Sequence, residues 1–140
     1  MQWNNKYIYP KSTRSIVDGS RHYSVNEERL PSVTTILKAT ESEEKKASLQ
    51  AWKQRVGQKQ AAIITREASS RGSSMHEYLE KFLLGKLNLD LLGDNTKERM
   101  MADQIIEHGL RNKLDEIWGC EATLYYPGKY AGAADCVGVY

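Results

Sequence analysis

Short apolar runs separated by turn residues open the chain. Tyr7-Ile8-Tyr9 and Arg21-His22-Tyr23-Ser24-Val25 read as strands, and Asp18-Gly19, just after Ile16-Val17, is a tight-turn pair. A β-hairpin or small meander over residues 1–28 is expected. The period then changes. In Leu30-Pro31-Ser32-Val33-Thr34-Thr35-Ile36-Leu37 the apolar Val33, Ile36 and Leu37 fall at i, i+3, i+4 behind a proline and a capping serine, which is how a helix begins. Ser42-Glu43-Glu44 starts a second helix, its carboxylates suited to the positive helix N-terminus, and Ala47, Leu49, Trp52 and Val56 run along it to Gly57.

From Glu67 to Leu84, Met75, Leu79, Phe82 and Leu83 recur at helical spacing and should face a core. This is either one long helix or a helix broken at Ser69-Ser70-Arg71-Gly72, with Gly85 as its stop. Leu87 to Gly93 is a short apolar connection without an assignable period. After Asn95-Thr96 a further amphipathic stretch carries Met100, Met101, Ile105, Ile106, Leu110, Leu114 and Ile117-Trp118 as far as Gly119. Beyond it the pattern is strand-like. Glu121 to Tyr126, the Pro127-Gly128 turn and Ala131 to Tyr140 read as an antiparallel hairpin. The expected class is α+β in one domain, with a helical region over 29–118 between the first hairpin and strands over 119–140.

Composition narrows this only a little. The 140 residues are 40% hydrophobic and 27% charged, an ordinary globular balance that excludes disordered and fibrous classes. No run approaches the roughly 18 apolar residues that cross a bilayer, and Met1-Gln-Trp-Asn-Asn-Lys6 is no secretory signal. A cytoplasmic protein with no membrane partner is expected, in the host cytoplasm if the source is viral. A net charge of +2 is too small to imply nucleic acid. Locally, however, Lys45, Lys46, Lys53, Arg55, Lys59, Arg66 and Arg71 stand against Glu67 alone between Lys45 and Arg71. That is the footprint of a phosphate-binding face, although a solvated helix face explains the same charges. Cys120 and Cys136 lack the spacing and histidines of a zinc module and read as small core residues.

Three acids and a histidine carry the candidate chemistry. His76-Glu77-Tyr78-Leu79-Glu80 begins like a zincin helix, but Glu80 stands where the second histidine belongs. His76 and Glu80 do share a helix face, where they could hold a divalent ion or form a plain surface pair. Asp135 lies in Ala131-Gly-Ala-Ala-Asp-Cys-Val-Gly-Val139, and a carboxylate buried there needs a partner or a metal. The alternative is an outward-facing aspartate opposite a lysine. Glu121 would fall level with Val137 to Tyr140 in the hairpin, reaching the site only through strong twist. Arg71-Gly72, opening a helix among serines, would offer backbone N–H groups to a phosphate, and a helix cap explains the same residues. No Gly-x-Ser-x-Gly elbow supports a serine hydrolase.

In order along the chain, Leu30-Pro-Ser-Val-Thr-Thr-Ile-Leu37, Trp52…Arg55-Val-Gly57, Arg71-Gly72…His76…Glu80 and Tyr130-Ala-Gly132…Asp135-Cys-Val137 cover roughly residues 20–140. The set resembles the RecB-like branch of the PD-(D/E)XK nuclease superfamily, the branch of the mitochondrial genome maintenance exonuclease and its phage relatives. The resemblance implies a restriction-endonuclease-like core and a DNA exonuclease using Mg²⁺ or Mn²⁺. It implies DNA ends or single strands as partner, Asp135 as metal ligand and His76 at the metal site. Lys53, Arg55, Arg66, Arg71 and Gly72 are the candidate DNA contacts, and Glu80 and Glu121 are auxiliary acids. Such a metal favours hard oxygen ligands, polarises the phosphate and helps generate hydroxide.

The family then places Asp/Glu-x-Lys on the next strand, and no residue follows Tyr140 here. The expectation is therefore a C-terminally truncated domain, inactive without a missing C-terminal half, a separately encoded remainder being one candidate partner. Its last strand would be left with an open edge. The alternatives are a non-catalytic nucleic-acid-binding or interaction module using the basic helices 45–71, or a structural domain with an incidental aspartate.

Overall fold

Asp18 and Gly19 both take positive φ, 51° and 77°, the turn geometry whose twist matches that of the strands it joins. The computed structural model describes residues 1–86 and 96–140, and it is α+β. After a two-residue strand, β1 (Gln2–Trp3), β2 (Ser12–Val17) and β3 (Ser20–Val25) form the hairpin around this turn. A further strand, β4 (Glu28–Pro31), then pairs antiparallel with β3. Its turn uses Asn26 and Glu27 at φ of 48° and 68°, and a glutamate is a poor sequence signal for that conformation. The N-terminal sheet thus ends at Pro31 rather than at residue 28.

Tyr7-Ile8-Tyr9 is not a strand. Its rings pack instead: Tyr7 lies edge-on to Trp118 at 5.7 Å between centroids, with the Lys6 ammonium 4.3 Å over the Trp118 ring. Tyr9 covers Gly119, where a Cβ would come within 2.7 Å of its ring. Ring contacts hold this segment, not a backbone ladder.

Helix α1 (Val33–Ala39) starts at Ser32, whose Oγ accepts from the Thr35 N–H at 3.0 Å. Helix α2 (Glu43–Val56) starts at Ser42, which accepts from the Lys45 N–H at 3.2 Å. Gly57, at φ 88°, is the single residue between α2 and α3 (Gln58–Leu83). Of the two sequence readings the unbroken helix is the one formed, through Ser69 to Gly72. Serine and glycine weaken a helix by up to about 1 kcal/mol each, and without a proline that is not enough to break it. Gly85 ends the helix as expected, with its N–H on the Phe82 carbonyl at 3.0 Å and that of Lys86 on the Lys81 carbonyl at 2.8 Å.

The apolar connection Leu87 to Gly93 lies outside the described residues. Helix α4 (Lys97–Ile105) continues into a π-helical turn, Ile106–Leu110, and stops there rather than at Trp118. Asn112 takes φ 62°, and β5 (Glu116–Tyr126) begins soon after, so Ile117 and Trp118 are strand residues. The helical region therefore spans less than 29–118, and the last strands begin before residue 119. Strand β6 (Tyr130–Val139) returns antiparallel to β5.

Two three-stranded sheets result, β2-β3-β4 and β1-β5-β6, with β1 parallel to β5. They meet through Tyr23, Val25, Leu30 and Ala131, against which Tyr125 packs. A second cluster of Leu83, Leu114 and Ile117, joined by Phe82, Cys120 and Cys136, fixes the end of α3 to β5 and β6. Trp3 reinforces that contact, donating from its indole N–H to the Leu83 carbonyl at 2.8 Å. No helix among the described residues is long and apolar enough to cross a membrane.

Ser32 joins these layers. It is 2% exposed, caps α1, donates its own N–H to the Arg21 carbonyl at 3.0 Å and bridges to Ala131 of β6. Ser32→Ala is expected to cost about 1 kcal/mol and lower the thermal midpoint by roughly 2–5 °C, as read by circular dichroism. An unchanged midpoint would show that the cap is dispensable.

Candidate metal centre

The β5–β6 hairpin closes on the cross-strand pair Tyr126 and Tyr130. An antiparallel ladder steps in opposite directions from its turn, and Glu121 lies as far before Tyr126 as Asp135 lies after Tyr130. The pairs Cys120 with Cys136 and Ala122 with Ala134 bracket the two acids, which therefore stand level. This corrects the expectation that Glu121 falls opposite Val137 to Tyr140; no strong twist is needed. Glu121 also takes φ 49°, a left-handed conformation that costs a non-glycine residue on the order of 1 kcal/mol.

Helix α3 supplies the third member. His76 Nδ1 lies 3.1 Å from Asp135 Oδ1. Ligand atoms of His76, Glu121 and Asp135 all fall within 4.8 Å of one another. The register of Leu83 against Cys120 and Cys136 positions the helix, and His76 sits two turns earlier on the same face. Asp135 is not buried as its apolar strand suggested: its side chain is 65% exposed. Strand β6 is the last in the sheet order β1-β5-β6, and the small residues beside Asp135 leave it uncovered. Its ion-pair partner among the described residues is His76, not a lysine.

The electrostatics are those of crowded acids. Partial burial, then the charge of Asp135 and a hydrogen bond with it, raise the Glu121 carboxyl above its ordinary value. Glu80 adds to this, so its charge is felt at the cluster although it is not among the three converging ligands, and His76 opposes it. Burial pushes the Cys120 thiol up to about 11 and raises Cys136 as well. Both are half-buried, packed against the Leu83 cluster rather than within the core that their sequence context suggested. One imidazole and two mutually repelling carboxylates make a donor set that could hold a divalent cation.

The basic residues divide. Lys53 and Arg66 line one open cleft of about 650 Å³ between α2 and α3, while Arg55 lines another with Glu41 and Trp52. Arg66 precedes His76 by ten residues of continuous helix, about 15 Å along its axis. Arg71 is half-buried on α3, about 140° around the helix from His76. Gly72 is interior to α3, so its N–H belongs to the helix ladder. That overturns the expectation of a phosphate cradle at Arg71-Gly72. Glu121 was the acid undervalued by sequence, and counting the register outward from the Pro127-Gly128 turn would have found it.

No protein-family model, curated protein or solved structure matches the chain.

A raised carboxyl pKa means that the folded chain holds the proton more tightly than the unfolded chain. Stability is therefore lost as pH rises from about the ordinary value of 4.5 through the raised one. Glu121→Gln is accordingly expected to raise the metal-free melting temperature at pH 7.5, with the gain vanishing below about pH 4.5. A gain that persists at pH 4 would rule out charge as the cause.

Proposed function

We propose that His76, Glu121 and Asp135 hold a divalent cation, and that residues 1–140 are the metal-binding part of a DNA exonuclease hydrolysing phosphodiester bonds. The observation that carries this reading is the convergence of the three side chains, from helix α3 and two strands, to within 4.8 Å. Each of the two acids raises the cost of ionising the other, a repulsion that a bound cation would offset. The left-handed backbone at Glu121 is a second sign that this spot is shaped for more than stability.

Bound there, Mg²⁺ or Mn²⁺ would draw electron density from a phosphoryl oxygen and acidify a water. The chain's own residues have separate parts. Asp135 and Glu121 present oxygen donors, and His76 fixes Asp135 through Nδ1 while adding an imidazole donor. No Asp/Glu-x-Lys occurs between Asp135 and Tyr140, so the group that orients the attacking water is not assigned to these residues.

Titration with Mn²⁺, followed by electron paramagnetic resonance, is expected to reveal one site. Asp135→Asn and Glu121→Gln should each weaken it by tenfold or more. In the presence of Mn²⁺ the wild-type chain should also gain thermal stability that neither variant gains. Equal binding by wild type and Asp135→Asn would refute the site.

A second reading, a nucleic-acid-binding module without catalysis, is favoured by one observation. Lys53 and Arg66 share a cleft and neither makes an ion pair among the described residues. It predicts metal-independent binding of single-stranded DNA whose slope against log salt falls by about 0.7 for each phosphate contact removed. Lys53→Glu and Arg66→Glu should reduce that slope more than Arg55→Glu does. Identical slopes for all three variants would dismiss the cleft.

A further inference from the structure

Beside the free edge of β6 lies an open groove of about 530 Å³, within the usual range for a site taking a small organic group. Tyr125, Tyr126 and Tyr130 wall it, the first turn of α1 and Arg21 face them, and Gly132 with Ala134 forms part of its floor. Tyr126 and Tyr130 stack on each other at 5.9 Å and 26°, yet remain 57% and 42% exposed. A cross-strand aromatic pair beside a turn staples the hairpin. That accounts for their contact, but it leaves aromatic faces open to solvent in a groove.

Charge and position narrow the occupant. None of the lining residues is acidic, and Arg21 is exposed and makes no ion pair among the described residues. Flat π surfaces beside an unpaired guanidinium suit a base attached to a phosphate. Ala133 and Ala134 line the groove immediately before Asp135 on the same strand. Ala133 shares the Asp135 face of β6, whereas Tyr130 precedes Asp135 by five residues, about 17 Å along the strand, and points to the other face. The floor must also stay small, since even a Cβ at Gly132 would meet the Val33 side chain at 3.3 Å.

We propose that this groove is a nucleobase subsite, taking an unpaired base of a nucleic-acid strand on Tyr126 and Tyr130 with Arg21 on a neighbouring phosphate. The proposal rests on the reading of the adjacent cluster as a phosphodiester site. It deepens that reading by assigning where a base a few nucleotides along the strand from the cluster is held. A double helix keeps its bases stacked inside and would not present one to the tyrosines. An added peptide strand would use the backbone of β6 and be indifferent to the aromatic rings.

The test uses the 140-residue chain and fluorescein-labelled oligothymidylate of about 12 nucleotides, within the span of one stacking fold, read by anisotropy without metal. Tyr130→Leu and Tyr126→Leu, which keep an apolar staple but remove the π face, should each weaken binding by roughly 5- to 150-fold. Tyr130→Phe should retain it, and Arg21→Gln should lower both the affinity and its salt dependence. An abasic strand of equal length should bind wild type and the leucine variants alike. The proposal is overturned if the leucine variants bind oligothymidylate as wild type does, if they lose the abasic strand equally, or if wild type binds no strand at all. Mn²⁺ binding by the same variants should be unchanged and confirms their fold. Loss of the tyrosine effect with Mn²⁺ binding intact removes the groove alone, whereas a tyrosine effect in a chain that binds no Mn²⁺ removes the metal reading alone.

Discussion

The register of the β5–β6 hairpin is the constraint on which the rest depends. Closing the turn on Tyr126 and Tyr130 fixes the pairs as far as Gly119 with Val137, where a bulge shifts the register, and a slip of one residue would move each of these side chains to the other face. In the register formed, Glu121 stands level with Asp135 and the two cysteines stand opposite each other. The same ladder carries Ala131 into the junction of the sheets and leaves Tyr126 and Tyr130 at the hairpin end. One turn therefore sets the candidate metal centre, part of the core and the aromatic groove together.

Helix α3 is the second determinant, because it is straight through and anchored at one end. Leu83 is buried against β5 and β6, and the Trp3 indole closes over the last turn. From that anchor His76 is delivered to Asp135 two turns back. The first half of the helix then runs beyond the core with only Ala61 buried, and α2 has no buried residue. These exposed helices carry the Lys53 and Arg66 cleft, held at a set distance from the cluster by the rigidity of a single helix.

The cluster works against the stability of the metal-free chain. Glu121 is raised by burial and by Asp135, and its backbone is left-handed. The thiols beneath are pushed up too, which keeps them neutral in a region that already holds several acids. A dication would offset the repulsion between Glu121 and Asp135 and satisfy their exposed oxygens.

What the sequence determined by itself was local. Ser32 and Ser42 as caps, Asp18-Gly19 as a turn and Gly85 as a stop were all legible, because each depends on φ preferences or on a hydrogen bond within a few residues. His76 and Asp135 were legible as candidates because a carboxylate in an apolar strand stands out. Only the tertiary structure decided the rest. Tyr7 to Tyr9 gave up a strand for ring packing on Trp118 and Gly119, and Ile117-Trp118 left a helical period for a strand paired with β1 and β6. Burial offered by distant residues outweighs local propensity in such segments. The placement of Glu121 beside Asp135, the exposure of Asp135 on an edge strand and the groove beside it likewise depend on which strand lies next to which. No short-range pattern encodes that, because the contacts join residues far apart in the chain.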